Sequence, residues 1–164
     1  NGVEGVSHIK DKLVEMTHLN ETIYSSCMAA AYRAKPMASG AYLNDEMLSN
    51  VAKHNVTRFP FKIARLAQDI AGGLVVTMPS LKELKNPEVK GFVEEFYSFG
   101  SDEPTADIMK VHKLLQHWTA GQHGVGTWHG AGPPATQRIA LQRAINLEHE
   151  KDLVKRTLKL KEKG

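Results

Sequence analysis

Two adjacent glycines interrupt the segment from Gln68 to Ser80 and suggest the first possible chemistry in this sequence. Gly72 and Gly73 follow a helical pattern. A glycine pair at a helix end frees backbone N–H groups and lets another molecule approach the backbone closely. Phosphate oxygens or the edge of a flavin would fit there, and Thr77 and Ser80 add hydroxyl donors. The alternative interpretation is a plain helix cap followed by a turn, because glycine is also common at helix C-termini.

A long glycine-rich loop is predicted at residues 121–134, which contain five glycines and end in two prolines. Connections of this length are often functional. Trp128 and His129 in this loop could pack on a flat ligand. The alternative is a compact surface loop in which Trp128 fills part of the core.

The first helical pattern contains His18 and Cys27, the only cysteine of the chain. They are nine residues apart, so at about 100° per residue they point to opposite sides of a helix. A spacing of seven would put two side chains on one face, and the residue seven before Cys27 is Asn20. The alternative for Cys27 is a buried small apolar residue.

The composition limits the classes of protein that fit. The 164 residues suit one domain, 1–164, and no apolar run is long enough to span a membrane. The 21 Lys and Arg are mixed with 18 Asp and Glu, so no basic stripe indicates a nucleic-acid partner. The chain starts at Asn1 without a basic and apolar leader. We therefore expect a cytoplasmic location and a piece of a longer chain.

Helical periodicity dominates the sequence and predicts an all-α fold, an antiparallel bundle of long helices. Ser7 is expected to cap the first helix, Asn44 the second, and Pro60 to kink or divide the second. Residues 74–78 are expected to be extended. The helices are predicted at residues 7–33, 44–71, 80–84, 86–98, 104–120 and 133–161.

Several of these segments together resemble one family, that of the 4-hydroxyphenylacetate 3-hydroxylases and 4-hydroxybutyryl-CoA dehydratases, and lie nearer its dehydratase branch. The resemblance covers the whole chain. The residues that carry it are His18–Thr22, Asn55–Pro60, Ala64–Gly73, Thr77–Ser80, His129–Pro133 and Gln137–Arg138.

The resemblance implies an acyl-CoA-dehydrogenase-like fold, of which this chain would be the C-terminal helical domain. It implies FAD bound partly across a subunit interface in a homotetramer, together with the protein's own N-terminal and middle domains. Tyr24 and His129 are implied as the catalytic residues, and Tyr24 would face the substrate as a proton-transfer or orienting group. The residues implied in binding FAD are Arg58, Gln68, Gly72, Gly73, Thr77 and Ser80.

The dehydratases combine FAD with an iron–sulfur cluster, and the resemblance implies two ligands from a His and a Cys seven residues apart. If Cys27 is that cysteine, the histidine position holds Asn20, and if His18 is that histidine, the cysteine position holds Ser25. In either case a poor iron ligand replaces one of the two. We therefore predict no intact cluster. The family's catalytic carboxylate near His129 also has no counterpart, since Gly126 and Thr127 stand there.

Three functions follow as alternatives. The first is the FAD-binding domain of a dehydratase or isomerase that acts on an acyl-CoA. The second is the oxygenase component of a two-component flavin monooxygenase that hydroxylates a phenol. The third is a fragment that only folds and oligomerises, without catalysis of its own.

Overall fold

A computed structural model gives the architecture for Val3, residues 5–122, Gly124, Gly126, Gly130 and residues 132–160. In chain order the elements are α1 (Ser7–Tyr32), β1 (Lys35–Pro36), β2 (Tyr42–Leu43), α2 (Glu46–Val56), α3 (Phe59–Ala71), α4 (Leu74–Thr77), a 3₁₀ helix (Leu81–Lys85), α5 (Lys90–Tyr97), α6 (Thr105–Ala120), α7 (Pro134–Ala144) and α8 (Leu147–Leu158). The two strands form a small antiparallel hairpin that connects α1 to α2.

Ion pairs give the relative direction of α1 and α3. Lys12 lies 3.9 Å from Asp69, and Glu15, further along α1, binds Lys62, which comes earlier in α3. The two helices therefore run antiparallel. α2 packs against α1, and α6 packs against α3. The predicted all-α helical bundle is thus confirmed.

The ends of the predicted helices hold with small shifts. Asp45, not Asn44, caps α2, because its Oδ1 accepts a hydrogen bond from the backbone N–H of Leu48 at 2.9 Å. Ser7 begins α1 instead of capping it. Pro60 divides the second predicted helix, since proline fits the first turn of a helix but not its interior.

The segment 74–78 was expected to be extended, and this expectation was wrong: Leu74–Thr77 form the short helix α4. Three side chains from distant positions bind carbonyl groups of α4 and of Met78, which follows it. Gln116 donates to the carbonyl of Val75, the Tyr97 hydroxyl to Thr77 at 3.1 Å, and Lys113 to Met78 at 2.9 Å. These partners replace the backbone N–H donors that a longer helix would supply, and the local sequence does not reveal them.

A small apolar core lies beside α4. Met109 of α6 has 0% of its surface exposed and packs with the buried Met78 and Val93. The half-buried Leu74 and Tyr97 cover this cluster. The core therefore fixes α4 and the glycine pair before it against α5 and α6.

The long last helix predicted over 133–161 is divided. α7 ends at Ala144, Ile145 is extended, and Asn146 caps α8 by accepting a hydrogen bond from the N–H of His149 at 3.1 Å. The cap explains the break, because asparagine is favoured at the N-cap of a helix, where its side chain accepts a backbone N–H, over a position inside a helix. Among the described residues, no helix combines the length and the apolar character needed to cross a bilayer.

Candidate functional site

The turn formed by Gly72 and Gly73, here called the glycine turn, is the centre of the predicted site. Gly72 has φ 61° and ends α3, and Gly73 has φ 87° and precedes α4. Two successive left-handed residues are favourable only for glycine. A Cβ atom added at either position would meet no atom of the chain within 4 Å. The backbone of the turn is therefore open to a molecule from outside.

Gln68 lies one helical turn before Gly72, and Thr119 of α6 fixes its amide group. The Thr119 hydroxyl donates its proton to the carbonyl of Leu115 at 2.8 Å, so its oxygen accepts from Nε2 of Gln68 at 3.0 Å. Nε2 also lies 3.4 Å from the Thr119 carbonyl. Within the described chain, Oε1 of Gln68 accepts no hydrogen bond and is left to accept one from a ligand.

The two predicted hydroxyl groups are exposed on the segment after the glycine turn. Oγ1 of Thr77 lies 3.5 Å from the carbonyl of Gly73, which is a weak hydrogen bond. Oγ of Ser80 accepts a hydrogen bond from the N–H of Lys82 at 3.2 Å and so caps the 3₁₀ helix. Both hydroxyls keep hydrogen-bonding capacity for a ligand.

Tyr24 and Arg58 lie away from the glycine turn. Arg58 precedes α3, so the length of this helix, about 20 Å, separates it from Gly72. Lys12 marks the part of α1 nearest the end of α3, and Tyr24 lies twelve residues further, about 18 Å along the axis. Tyr24 is exposed over 59% of its surface. Gln68, Gly72, Gly73 and Thr77 therefore form one group, with Tyr24 and Arg58 outside it.

Cys27 and Asn20 are both exposed on α1, where Ile9, Leu19 and Ala30 are the buried positions. The interpretation of Cys27 as a buried residue was therefore wrong. The buried face of α1 lies next to Cys27, which lines the edge of a cavity of about 240 Å³ between α1 and α2. In the part of the chain that the structure describes, no group of three or more His, Cys, Asp or Glu side chains could hold a metal ion. His129 and Trp128 lie outside the described residues.

The sequence reasoning missed His54. Its ring Nε2 lies 3.5 Å from Nη1 of Arg58, one turn later on the chain. Burial lowers the pKa of His54, and the positive charges of Arg58 and Arg138 lower it further. The spacing of four between His54 and Arg58 could have indicated this pair, whereas the proximity of Arg138 requires the fold.

Comparison with known proteins now decides the family. The family model for the 4-hydroxyphenylacetate 3-hydroxylase C terminal (HpaB) matches residues 1–159, almost the whole chain. This chain belongs to the HpaB C-terminal family. The resemblance stated on the sequence motifs is thereby confirmed.

Three relatives of this HpaB-family chain place it within the family. It is 43% identical to the 4-hydroxybutyryl-CoA dehydratase/vinylacetyl-CoA-Delta-isomerase of Clostridium aminobutyricum, covering 94% of this chain and 34% of that protein. The structure of an oxygen-tolerant archaeal 4-hydroxybutyryl-CoA dehydratase from N. maritimus matches with 46% identity and a TM-score of 0.92, over 99% of this chain and 33% of that one.

The third relative is the oxygenase component of 4-hydroxyphenylacetate 3-monooxygenase, in complex with FAD and 4-hydroxyphenylacetate. It matches over 96% of this chain and 34% of its own, with 22% identity and a TM-score of 0.84. At this identity the likeness shows the shared fold. The HpaB-family chain thus spans about a third of the length of these relatives.

Proposed function

We propose that this chain is the flavin-contacting helical domain of an enzyme that acts on a CoA thioester. The reactions would be dehydration of 4-hydroxybutyryl-CoA or isomerisation of vinylacetyl-CoA. The observation that carries the proposal is the 43% and 46% identity to dehydratases over nearly the whole chain, against 22% to the hydroxylase component.

The open glycine turn fits one part of an FAD-binding site. Gly72 and Gly73 leave a space that any Cβ would enter, so a flat ring or a phosphate can come close to their backbone. Oε1 of Gln68 would accept a hydrogen bond from the ligand, and the hydroxyls of Thr77 and Ser80 would donate. Arg58, at the other end of α3, would bind a negatively charged part of the same cofactor. FAD, when bound, supplies the redox chemistry.

The proposal extends to groups that approach the substrate. Tyr24 would orient the substrate or move a proton through its hydroxyl, which is exposed and available. His129 would act near the same thioester. The protein's own N-terminal and middle domains and a homotetrameric assembly would complete the site. In agreement with this, the domain has exposed large apolar side chains, including Val76, Phe96 and Trp118.

The absence of an intact iron–sulfur cluster stays a prediction from Asn20 and Cys27. Iron and acid-labile sulfide assays on the full-length protein, repeated with Cys27→Ser, test it. Stoichiometric iron that is lost in Cys27→Ser would contradict the prediction.

One assay on the full-length protein tests the function. Purified protein is reconstituted with FAD and incubated with 4-hydroxybutyryl-CoA or vinylacetyl-CoA, and the products are separated by mass and chromatography. Loss of water or migration of the double bond is expected only with FAD present. FAD binding without either reaction would refute the activity.

The phenol monooxygenase is the second candidate, favoured by the family to which the chain belongs. NADH-driven oxygen uptake with 4-hydroxyphenylacetate and a flavin reductase tests it on the same preparation. Hydroxylated product there, without reaction of the thioesters, would replace the first proposal by this one.

A further inference from the structure

The corner where α2 meets α7 contains positive charge that no acidic residue of the described chain neutralises. His54 and Arg58 lie one turn apart at the end of α2, and α2 packs against α7, which contains Arg138. Neither residues 47–68 nor α7 contain an Asp or Glu. Neither arginine forms an ion pair within the described residues. We call His54, Arg58 and Arg138 the cationic corner.

The two ring nitrogens of His54 have different roles. Nε2 lies 3.5 Å from Nη1 of Arg58, and a guanidinium can only donate hydrogen bonds, so Nε2 accepts and the ring proton is on Nδ1. Nδ1 is buried and has no hydrogen-bond partner within the described chain. A buried N–H group without an acceptor has lost its hydrogen bond to water and gained none in the protein, which costs free energy. Nδ1 of His54 is therefore a donor that lacks its acceptor.

The charges at the corner define which acceptor fits. The imidazole of His54 is neutral near pH 7, because burial and the two arginines lower its pKa. Arg58 and Arg138 stay positively charged. One neutral N–H donor beside two guanidinium groups matches a group with several negatively charged oxygens, and arginine binds phosphate groups through paired N–H donors.

We propose that His54, Arg58 and Arg138 bind the pyrophosphate of a nucleotide-containing ligand, either FAD or an acyl-CoA. The ligand class rests on the proposed function, which supplies both molecules. About 20 Å along α3 separates Arg58 from the glycine turn. A single FAD would have to bridge this separation, whereas an acyl-CoA could occupy the corner independently. The experiment therefore has one arm for each ligand.

The test uses the full-length protein with Arg138→Gln, and Arg143→Gln as the matched control on the same helix. Calorimetric titration measures FAD against riboflavin, and butyryl-CoA against butyryl-pantetheine, which lacks the pyrophosphate. Loss of one charge-assisted hydrogen bond should weaken FAD or butyryl-CoA about tenfold to a hundredfold. Riboflavin and butyryl-pantetheine should bind Arg138→Gln as before, and Arg143→Gln should change no affinity.

Two variants of His54 test its role as a donor. His54→Asn keeps an N–H donor close to the position of Nδ1, and His54→Leu removes it. The same pyrophosphate ligand should bind nearly normally to His54→Asn and about tenfold more weakly to His54→Leu. Equal affinity of the two variants would remove His54 from the site.

The outcomes separate this inference from the proposed function. Unchanged affinity of Arg138→Gln for both FAD and butyryl-CoA would overturn the inference, and a fall in stability with unchanged affinity would leave Arg138 a structural role only. If the unmodified protein binds no FAD, the flavin part of the proposed function fails, and the butyryl-CoA arm still decides the corner.

Discussion

Substitution of Gly73 separates the cost of backbone strain from the effect on flavin binding. Gly73 has φ 87°, and a Cβ there meets no atom of the chain within 4 Å. Alanine in the left-handed region is less stable by about 1–2 kcal/mol. Alanine also lowers the conformational entropy of the unfolded chain, which stabilises the folded state by about 0.4–1 kcal/mol. We therefore expect Gly73→Ala to lower the free energy of unfolding by roughly 0–1.6 kcal/mol, with about 1 kcal/mol near the middle of the range.

Gly73→Asn and Gly73→Ala should rank in opposite order for stability and for FAD affinity. Asparagine tolerates the left-handed region, so this variant should be more stable than Gly73→Ala. Its larger side chain fills more of the open space, so it should bind FAD more weakly than Gly73→Ala. Urea denaturation gives the stabilities, and titration of the full-length apoprotein with FAD gives the affinities.

Gly40 provides the matched control. It has φ 81°, has open space around a Cβ, and lies in the turn between β1 and β2. Gly40→Ala should lose a similar stability and leave FAD affinity unchanged. Affinities that follow stability, with Gly73→Ala weaker than Gly73→Asn, would refute a close contact between the flavin and the glycine turn. Wild-type affinity in both variants would refute it as well.

Three further predictions concern packing, the anchoring of Gln68, and pH. Met109→Ala should lower the free energy of unfolding by about 2–5 kcal/mol, because Met109 has no exposed surface. Met28→Ala, at an exposed position, should change it little. Equal losses in urea denaturation would contradict the described core. Gln68→Met should lower the free energy of unfolding by roughly 1–2 kcal/mol, because it removes the hydrogen bonds to Thr119. The double variant with Thr119→Val should lose less stability than the sum of the two single variants. Additive losses would mean that the two side chains do not interact. The pKa of His54 is lowered from 6.5 in the folded state, so the unfolded chain binds more protons than the folded chain just below pH 6.5. The free energy of unfolding should therefore decline as pH falls through 6.5 towards the folded pKa. In urea denaturation at several pH values, His54→Asn should show a shallower decline, and a profile identical to that of the unmodified protein would exclude His54 as its source.

Local signals in the sequence predicted most of the helices. Pro60 and Gly72 mark the beginning and the end of α3, and Pro104 comes directly before α6, because these residues restrict or free the backbone at their own positions. The periodic apolar pattern is also local, and it predicted the all-α bundle. The same signals located the glycine turn as the opening in the backbone.

The failures have a common physical reason. Leu74–Thr77 contain three β-branched residues that favour strands, yet they are helical, and donors from α5 and α6 bind the carbonyls of Val75, Thr77 and the following Met78. The partner of Gln68 lies 51 residues away, and the neighbour of His54 on α7 is further still. Which side chains meet depends on helix packing, and a single sequence does not contain that information in any local pattern. Cys27 shows the same limit, because a shift of one position around α1 decides between burial and exposure.

The dependence of α4 on distant donors has a consequence for the order of folding. A helix of four residues has too few internal hydrogen bonds to persist alone. Gln116 reaches the carbonyl of Val75, and Lys113 that of Met78, only when α6 has docked, so the glycine turn acquires its final shape late. Native-state hydrogen exchange should then show the amides of Met78 and of α6 opening as one cooperative unit. Any motion that loosens α6 would also reshape the surface around the glycine turn.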